Sequence, residues 1–577
     1  MNEQLEKLSL PLLLVLVLAG CDGCNSTTHD QPAVQRGGTL VVGLKAEPDT
    51  LNVYLGKLAE SGWVANRTLP RLAREIPPGS GEAAGFKPEL ADRWEWQDEG
   101  RTLTFTLHPK GSWSTGQPIT CDDVQFTWRA QTSSDLAWRM ASLKRHITSV
   151  ECPGPLTAVF RFDVAYPTGF IDANDLNILP ASLGSIPFSA WRQTDWATLM
   201  PAGGPFKLER RAAGSEWVLA RHDGWQGAPE QPVLDRIVLK PLPDYSSRLN
   251  AFLAGDLHIA DQIQPVDLPQ IAQKPELKVE RRTGWSYSYI GWNTIDPAAY
   301  GDYRKRIEAA CAGAENCPED TAGLAALALA HPHPLLGDAR VRLALTLAID
   351  RNSIVDTLLV GEGEVPATPI LAPLPEHDPQ LASPPYDAAR ARALLTEVGF
   401  NDTDGDGTID RNGRPFAITV LVQAGNALRR QAADLIQRDL SKLGIAMTVT
   451  PIENSSFFQT VGRREMDAWI GGWVAPTRVD MTEMLHINAT PRDGNNYGTW
   501  IHADADALAL QARDTRDDAA RAALWHRWER LFASEQPYTL LFRPRYLVGV
   551  RRDVHGTETL ISTDILNGVE TWWLSPH

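Results

Sequence analysis

Alternating carboxylates in the loop 402–410 are the residues whose spacing points most directly to metal chemistry. Asp402, Asp404, Asp406 and Asp410 follow the pattern in which oxygen ligands converge on a hard cation such as Ca²⁺. The twelfth position of such a loop normally supplies a bidentate glutamate, and here it is Gly413. The sequence therefore predicts at most a weak calcium site at these aspartates, and it predicts no other metal and no cofactor.

Motifs for catalysis are absent from the sequence. It contains no G-x-S-x-G nucleophile elbow, no H-E-x-x-H zinc motif and no phosphate-binding P-loop. A dispersed catalytic triad leaves no such pattern, so a hydrolase stays open as the less favoured alternative. We expect a protein that binds its ligand without converting it.

Length and charge exclude further classes. With 577 residues the chain exceeds the size at which one hydrophobic core keeps growing, so several lobes are expected. The formal net charge of −16 is spread along the chain, and no Lys/Arg-rich patch suits a phosphate backbone. Nucleic acid is therefore not expected as a partner.

The cysteines suggest an oxidising compartment. The chain has six, and setting aside Cys21 and its neighbour Cys24 leaves four that form two bridges in one of three connectivities. We favour the local pairs, which are Cys121 with Cys152 and Cys311 with Cys317. No CxxC or HxxxH spacing accompanies these residues, so a zinc site is not predicted.

The elements that must position any site show an alternation of strands and helices. Apolar runs or alternation predict strands at 40–42, 103–107, 158–164, 418–422 and 447–452. Thr120 and Asp123 have the spacing of a capping box. Helices are predicted after Asp338, from Asp387 to Gly399, and around the apolar stripe that ends at Gly444. The last helix lies between two strands, which predicts an α/β lobe with a partly parallel sheet.

The amino terminus has the features of an export signal. An apolar stretch from Leu8 to Leu18 is too short to span a bilayer, and it ends in small residues before Cys21. Residues 18–21 resemble the lipobox of bacterial lipoproteins, although acidic residues in the leader depart from the usual basic pattern. We expect a signal peptide at 1–20, acylation of Cys21, a flexible tether at 21–36, and contact with the membrane through the lipid only.

Sequence landmarks along most of the mature chain resemble one family. They are the stretches 37–40, 47–52, 88–94, 105–116, 118–124, 203–206, 292–294, 338–351, 402–407 and 466–473, in the family's order. The family comprises the extracellular solute-binding proteins of the peptide, opine and nickel class, which feed ABC importers. The resemblance implies an α/β fold like that of periplasmic binding proteins, a two-lobed clamp with an extra lobe and mixed sheets flanked by helices.

The resemblance also implies lobe boundaries. The first lobe would comprise 37–72, 200–283 and 538–577, the second, extra lobe 73–199, and the third lobe 284–537 with an insertion at 295–334. Chain crossings between lobes are expected near Leu208–Arg210 and near Arg282–Gly284. The insertion shields the cleft, touches a partner or has no function, and the sequence leaves these alternatives open.

Trp473 matches a tryptophan that lies beside the ligand backbone in peptide binders. Those relatives place an aspartate three residues later, which pairs with the ligand's ammonium group, and here that position is Pro476. Proline provides neither charge nor backbone donor, so the usual anchor is absent. Asp480 or Glu483 is a possible substitute, and core packing is the alternative role for Trp473.

Aromatic and basic residues complete the candidate site. Tyr54, Trp285, Tyr287 and Tyr289 form either a wall of the cleft or a core face, since alternation sends the last three to one side of a strand. Arg429 and Arg430, at a helix start, either meet a ligand carboxylate or remain solvated.

The expected function follows from the resemblance. The chain would be a monomeric lipoprotein of the cell envelope that captures a peptide-like or other small polar solute and delivers it to ABC importer permease subunits. A sensor or adhesion lipoprotein that kept the clamp without a transporter is the alternative. The sequence does not name the ligand, because the position that would recognise a free peptide amino terminus is replaced.

Overall fold

The computed structural model describes residues 34–78, 80, 85–175, 177–225, 231–310, 320–454, 456–475, 478–490 and 494–576. The predicted signal peptide, Cys21, the pair Cys311–Cys317 and Pro476 lie outside the described residues. The predictions made for them therefore remain predictions.

The strands cover the chain from end to end. They are β1 (Thr39–Leu44), β2 (Ala73–Ile76), β3 (Gly85–Pro88), β4 (Ala91–Gln97), β5 (Thr102–Leu107), β6 (Ile147–Gly154), β7 (Thr157–Phe162), β8 (Phe206–Ala212), β9 (Glu216–Arg221), β10 (Arg236–Pro241), β11 (Ile259–Ala260), β12 (Leu277–Arg282), β13 (Ser286–Trp292), β14 (Gly363–Glu364), β15 (Asp410–Arg411), β16 (Arg414–Pro415), β17 (Ala417–Gln423), β18 (Ala446–Ile452), β19 (Ala468–Val474), β20 (Tyr538–Pro544), β21 (Tyr546–Arg551), β22 (Val554–His555) and β23 (Trp573–Leu574).

The α-helices are concentrated in the second half of the chain. They are α1 (Ala59–Thr68), α2 (Cys121–Thr132), α3 (Gly169–Asn174), α4 (Trp196–Leu199), α5 (Tyr245–Leu253), α6 (Leu268–Ala272), α7 (Pro297–Ala310), α8 (Thr321–Ala330), α9 (Ala339–Ala348), α10 (Arg351–Leu358), α11 (Ala388–Glu397), α12 (Ala427–Ser441), α13 (Phe457–Gly462), α14 (Thr482–Leu485), α15 (Ala503–Asp514) and α16 (Asp518–Glu535). Among the described residues, no helix has the length and apolar character needed to cross a membrane.

A seven-stranded sheet contains β1, the first strand of the chain, and β21, which lies near the carboxyl end. Its order is β12-β21-β11-β1-β10-β9-β8, with β1 parallel to both neighbours and the outer pairs antiparallel. We call this sheet and its helices the seven-stranded unit. Leu208–Arg210, near which a crossing is predicted, lie within β8 at a bulge opposite β9.

The second large sheet has six strands in the order β14-β20-β13-β19-β17-β18. We call this sheet and its helices the six-stranded unit. β17 runs parallel to β18 and β19, as the strand-helix-strand pattern predicts, and β13 is antiparallel to β19 and β20. β20 therefore belongs to this six-stranded unit, which corrects the assignment of 538–577 as a whole to the first lobe. Pairing with β13 determines its place.

Helices cover both faces of the six-stranded sheet. One face contributes Ile290, Val420 and Ile470 to a core shared with α9, α10 and α12. The other contributes Tyr289, Leu421 and Trp469 to a core shared with α15 and α16. Two-sided burial explains why the central strands are almost continuously apolar.

A four-stranded antiparallel sheet of order β4-β5-β7-β6 forms the smallest of the three units. A disulfide joins Cys121, the first residue of α2, to Cys152 in β6, with 5.6 Å between the Cα atoms. This confirms the first predicted bridge. We call this sheet, with α2 and α3, the four-stranded unit.

Local signals for helix starts are confirmed where the structure describes them. The capping box of Thr120 and Asp123 is present, and Thr120 N donates to Asp123 Oδ2 at 2.8 Å. Asp338 Oδ1 accepts from Arg340 N and Asp387 Oδ1 from Arg390 N, both at 2.9 Å. Each carboxylate satisfies a backbone donor that has no partner inside its helix.

The chain passes between the seven- and six-stranded units at two adjacent places. β12 leads into β13 through Thr283–Trp285, and β20 leads into β21 at Arg545. At Gly284 an added Cβ would overlap the carbonyl oxygen of Pro544, so the two connections touch. The expected crossing at Arg282–Gly284 coincides with the first of them.

The described part of the insertion 295–334 contains two helices. Tyr300 of α7 and Leu324 of α8 pack with Ile295 in a small core of their own. Arg464 donates to the Tyr300 hydroxyl at 2.9 Å and so ties this appendage to the six-stranded unit.

Candidate functional site

The end of β19 has one edge without a strand partner. β13 pairs with β19 from Ala468 to Val474, whereas β17 pairs with it only from Ala468 to Ile470. Among the described residues, no strand continues along the second edge beyond Ile470, and Val474 is 62 % exposed. An unpaired edge offers backbone donors and acceptors to an extended chain, which can add to the sheet as a strand.

Trp473 lies on this end of β19. It is half-buried, it stands opposite Tyr287 in the strand register, and its indole packs on the core shared with α15 and α16. Its Nε1 is buried near the Tyr538 hydroxyl without a hydrogen bond of ordinary geometry. The indole therefore combines a packed side with an exposed part that can contact a ligand.

Trp285 lies beside the same strand end and faces a cavity. Its carbonyl oxygen accepts from Ala475 N at 2.7 Å, and its side chain is half-buried. The cavity, of about 210 Å³, is lined by Asn66, Arg67, Arg71, Arg74, Glu75, Pro77, Glu89, Trp285, Ile561, Thr563, Asp564 and Asn567. It lies where the seven-stranded unit, the β2–β3 hairpin and the start of β13 meet.

The arginines of this cavity differ in their partners. Arg67 pairs with Asp564 at 2.8 Å, and Arg74 pairs with Glu89 and Glu570. Burial lowers the pKa of Arg74, and Glu89 opposes that effect. Arg71 donates to Asn66 Oδ1 at 3.0 Å and forms no ion pair within the described part of the chain. Its guanidinium is thus the cavity cation that a ligand carboxylate can reach without displacing another acid.

Arg429 lies on the opposite face of the sheet from Trp473. Its Nε donates to Ser288 Oγ at 3.3 Å and its Nη1 to Gln423 Oε1 at 2.7 Å, and a Cβ at Gly472 would overlap its Nη2. Burial lowers its pKa, and both of these hydrogen-bond partners are neutral. It therefore places an uncompensated positive charge next to the open edge of β19. Arg430 is exposed and lines a separate open groove of about 440 Å³ beside β18.

The structure brings three of the predicted aromatic residues into the core instead of the cleft. Tyr287 is 2 % exposed and Tyr289 fully buried, and Tyr289 stacks on Tyr538 at 4.2 Å between ring centroids. For these two, the alternative of a core face is the correct one.

Tyr54 is the third of these aromatic residues that the structure places in the core and not in the cleft. Its hydroxyl donates to the carbonyl of Asn177 at 3.0 Å and accepts from Gln131 Nε2 at 3.1 Å, and its ring meets Trp138 edge-on. Burial raises the pKa of this phenol. Tyr54 therefore joins the seven- and four-stranded units and has no surface left for a ligand.

Asp480 uses its carboxylate within its own loop. Oδ1 accepts from Thr482 N at 2.9 Å and from the Thr482 hydroxyl, just before α14. Both bonds use Oδ1, so a role as substitute for an ammonium anchor would fall to Oδ2. Glu483 lies in the first turn of the same helix.

The aspartate loop only partly matches the predicted calcium site. Carboxylate oxygens of Asp402, Asp404 and Asp406 lie within 4.8 Å of one another and are exposed. Asp410 instead accepts from the backbone and hydroxyl of Thr403, and these bonds lower its pKa. The fourth predicted ligand is therefore engaged elsewhere.

Sequence reasoning missed the cavity residues. Arg67 lies in α1, Arg71 in the segment after it and Arg74 in β2, whereas Asp564 and Asn567 come from near the carboxyl terminus. The only available signal was the basic cluster at intervals of four and three residues, which by itself predicts a solvated helix face.

The units and the open strand edge define a binding protein of the periplasmic class. A family model described as "Bacterial extracellular solute-binding proteins, family 5 Middle" matches residues 85–495. The chain belongs to this family, which confirms the resemblance found in the sequence.

Curated relatives and solved structures agree with this assignment. The oligopeptide-binding protein AppA of Bacillus subtilis (strain 168) is 27 % identical over 99 % of this chain and 98 % of its own length. The structure of AppA with a nonapeptide matches with a TM-score of 0.66 and 26 % identity, over 94 % of this chain and 100 % of that one.

Two more distant structures share the fold. NikZ from Campylobacter jejuni in complex with Ni(L-His) matches with a TM-score of 0.67 at 20 % identity, over 93 % and 99 % of the two chains. The ABC transporter-associated periplasmic binding protein DppA from Helicobacter pylori, in complex with peptide STSA, matches with a TM-score of 0.64 at 18 % identity, over 94 % and 99 %. The predicted α/β fold is thereby confirmed.

Proposed function

We propose that this protein captures a peptide-like solute between its seven- and six-stranded units and delivers it to an ABC importer. The observation that carries the proposal is the open edge of β19 beside Trp473, which can pair with an extended backbone. Backbone pairing supplies affinity without regard to sequence. The similarity to AppA over nearly the whole chain supports a peptide ligand.

Trp473, Trp285 and Arg429 are the proposed contacts at that edge. Indole rings supply apolar area to a ligand, and the uncompensated guanidinium of Arg429 attracts a carboxylate. Arg430 is a weaker candidate because it is exposed on a different groove. Pro476 in place of an aspartate means that recognition of a free α-ammonium group is not part of the proposal.

We further propose that the mature protein begins at acylated Cys21 and is held as a monomer at a membrane surface of the cell envelope. The support is the apolar stretch that ends in Leu18-Ala19-Gly20-Cys21. In cells supplied with a fatty-acid analogue, wild-type protein should carry the label and Cys21→Ser should not. Unlabelled wild type would refute the anchor.

The test of the function starts from what the protein retains. Cys21→Ser protein, purified gently and then denatured, should release peptides that mass spectrometry identifies, and calorimetry should show that synthetic copies bind. A Trp96→Ala variant, altered at a partly exposed tryptophan of the four-stranded unit, serves as the matched control. Turnover of the bound molecule, or binding that Trp473→Ala leaves unchanged, would overturn the proposal.

A further inference from the structure

Two arginines of the six-stranded unit reach the four-stranded unit. Nη1 of Arg478 lies 2.6 Å from Oδ1 of Asp172 in α3, and Nη1 of Arg516 donates to the carbonyl of Glu99 at 2.6 Å. We call these two contacts the lobe bridge. They join parts of the chain that are more than 300 residues apart for the first contact and more than 400 for the second.

Asp172 is held in place by its own unit. Its residue is 4 % exposed, and the Thr168 hydroxyl donates to its Oδ2 at 3.1 Å. Its carbonyl oxygen accepts from the buried ammonium group of Lys144. The carboxylate is therefore positioned for Arg478 before the two units meet.

Charge balance in this cluster depends on Arg478. Lys144 lies 3.6 Å from Asp175 and donates to the backbone carbonyl of Asp172, so its ammonium group pairs with the Asp175 carboxylate and not with that of Asp172. Arg478 supplies the second positive charge. Removal of the arginine charge while the units stay in contact would leave the buried Asp172 carboxylate without its counter-charge, which is strongly unfavourable.

The second contact, between Arg516 and Glu99, involves a turn whose residues have positive φ angles. Asp98 and Glu99 have φ values of 50° and 56°, and Gly100 has 91°. A Cβ at Gly100 would overlap the guanidinium of Arg516, so the glycine leaves the space that this side chain fills. The turn thus has a shape that accepts the arginine.

Arg478 belongs to the loop that follows the open strand edge. Only a few residues separate it from Val474 and Ala475, where the exposed edge of β19 ends. The loop is therefore attached to the four-stranded unit through Asp172 at one end. A ligand bound along β19 would restrain it at the other end.

We infer that Arg478 is a positioning residue that docks the four-stranded unit onto the six-stranded unit and couples this docking to the ligand edge of β19. The docking of the two units does not depend on the proposed function, whereas its coupling to a ligand rests on that function. The extra lobe then takes part in closure instead of serving only as a scaffold.

The docking test needs no ligand. Small-angle X-ray scattering of ligand-free Cys21→Ser protein should give a larger radius of gyration for Arg478→Gln and for Asp172→Asn than for the parent. The double variant should change it no more than either single variant, because both remove one interaction. Arg478→Lys should restore most of the compactness. Arg513→Gln, which breaks an exposed pair with Asp514 inside one unit, is the matched control and should change nothing.

The coupling test uses a peptide that the parent binds. Arg478→Gln should release it about tenfold faster in stopped-flow measurements, since the loop loses one of two attachments. Unchanged radii in both single variants, or additive effects in the double variant, would overturn the docking. Unchanged release with increased radii would overturn the coupling alone. If no peptide binds any protein while the radii still shift, the proposed function fails and the lobe bridge stands.

Discussion

Gly284 lies against the carbonyl oxygen of Pro544, with no space between them for even a methyl group. Gly284 lies in the first connection between the seven- and six-stranded units, and Pro544 is the last residue of β20, directly before the second connection at Arg545. Hinge motion in clamp-like proteins is absorbed by a few residues of this kind. Close contact between the connections means that they must move together.

Replacing Gly284 by alanine should separate the two connections, because the atom in the way is backbone and cannot rotate aside. We expect a loss of about 1–3 kcal/mol in the free energy of unfolding, typical of overpacking, together with weaker ligand-induced compaction. Thermal unfolding and scattering measure these effects. Gly62→Ala in α1, where a Cβ meets nothing within 4 Å, should leave both unchanged or slightly raise stability. Equal behaviour of the two variants would contradict a rigid contact.

The replaced anchor position gives a second prediction. Acetylation of a peptide's α-amino group should change its affinity by less than tenfold, about 1.4 kcal/mol, whereas Trp473→Ala should weaken every ligand at least tenfold. Calorimetry on free and acetylated peptide pairs provides the measurement. A hundredfold preference for the free amine that Asp480→Asn abolishes would show that Asp480 acts as the anchor.

The disulfide in the four-stranded unit gives a third. The Cys121→Ala, Cys152→Ala double variant should lose roughly 3 kcal/mol, because the bridge closes a loop of 31 residues that restricts the unfolded chain. Chemical denaturation of parent and variant compares the two. Peptide mapping without reductant should find Cys121 joined to Cys152, and it also decides the pairing predicted for Cys311 and Cys317. Equal denaturation midpoints would contradict the expected contribution.

A buried carboxylate near the hinge gives the fourth. Asp261 is fully buried and bound to the Tyr546 hydroxyl, and burial raises its pKa, with Glu60 adding to the shift. An acid whose folded pKa is raised costs stability when ionised, and the cost disappears as the pH falls through that pKa toward about 4.

Asp261→Asn should therefore raise the melting temperature at pH 7, and the gain should shrink steadily at acid pH. Scanning calorimetry across this range measures the difference. Asp135→Asn, at an exposed position, should show no such pH-dependent gain. A variant that is less stable than the parent at pH 7 would mean that the ionised carboxylate has a favourable role.

Local patterns predicted the fold well. The strands and the helix between 417 and 452, the capping aspartates 338 and 387, and the pair Cys121–Cys152 each depend on residues close in sequence, where periodicity and caps carry the information. The candidate site was predicted less completely. Trp473 and Arg429 lie beside one strand end, but the cavity brings together α1, Trp285 and residues near 564, and no sequence pattern links such distant segments.

Residue type was also insufficient to predict which aromatic side chains line the cleft and which lie in the core. Trp285, directly before β13, and Tyr289 within β13 have the same alternation phase, yet Tyr289 stacks on Tyr538 whereas Trp285 lines the cavity. The difference depends on which helix covers each position. Similarly, β20 and β21 are adjacent apolar strands, and only their pairing partners show that the chain changes sheets between them.

The place of β21 in the seven-stranded sheet bears on how this protein is made. β21 enters between β11 and β12, so β12 has no neighbour in the sheet until residues 546–551 have arrived. A nascent chain that lacks these residues cannot complete this sheet, and pairings of such long sequence separation also form slowly. The strand order thus postpones completion of this sheet until synthesis of the chain is nearly finished.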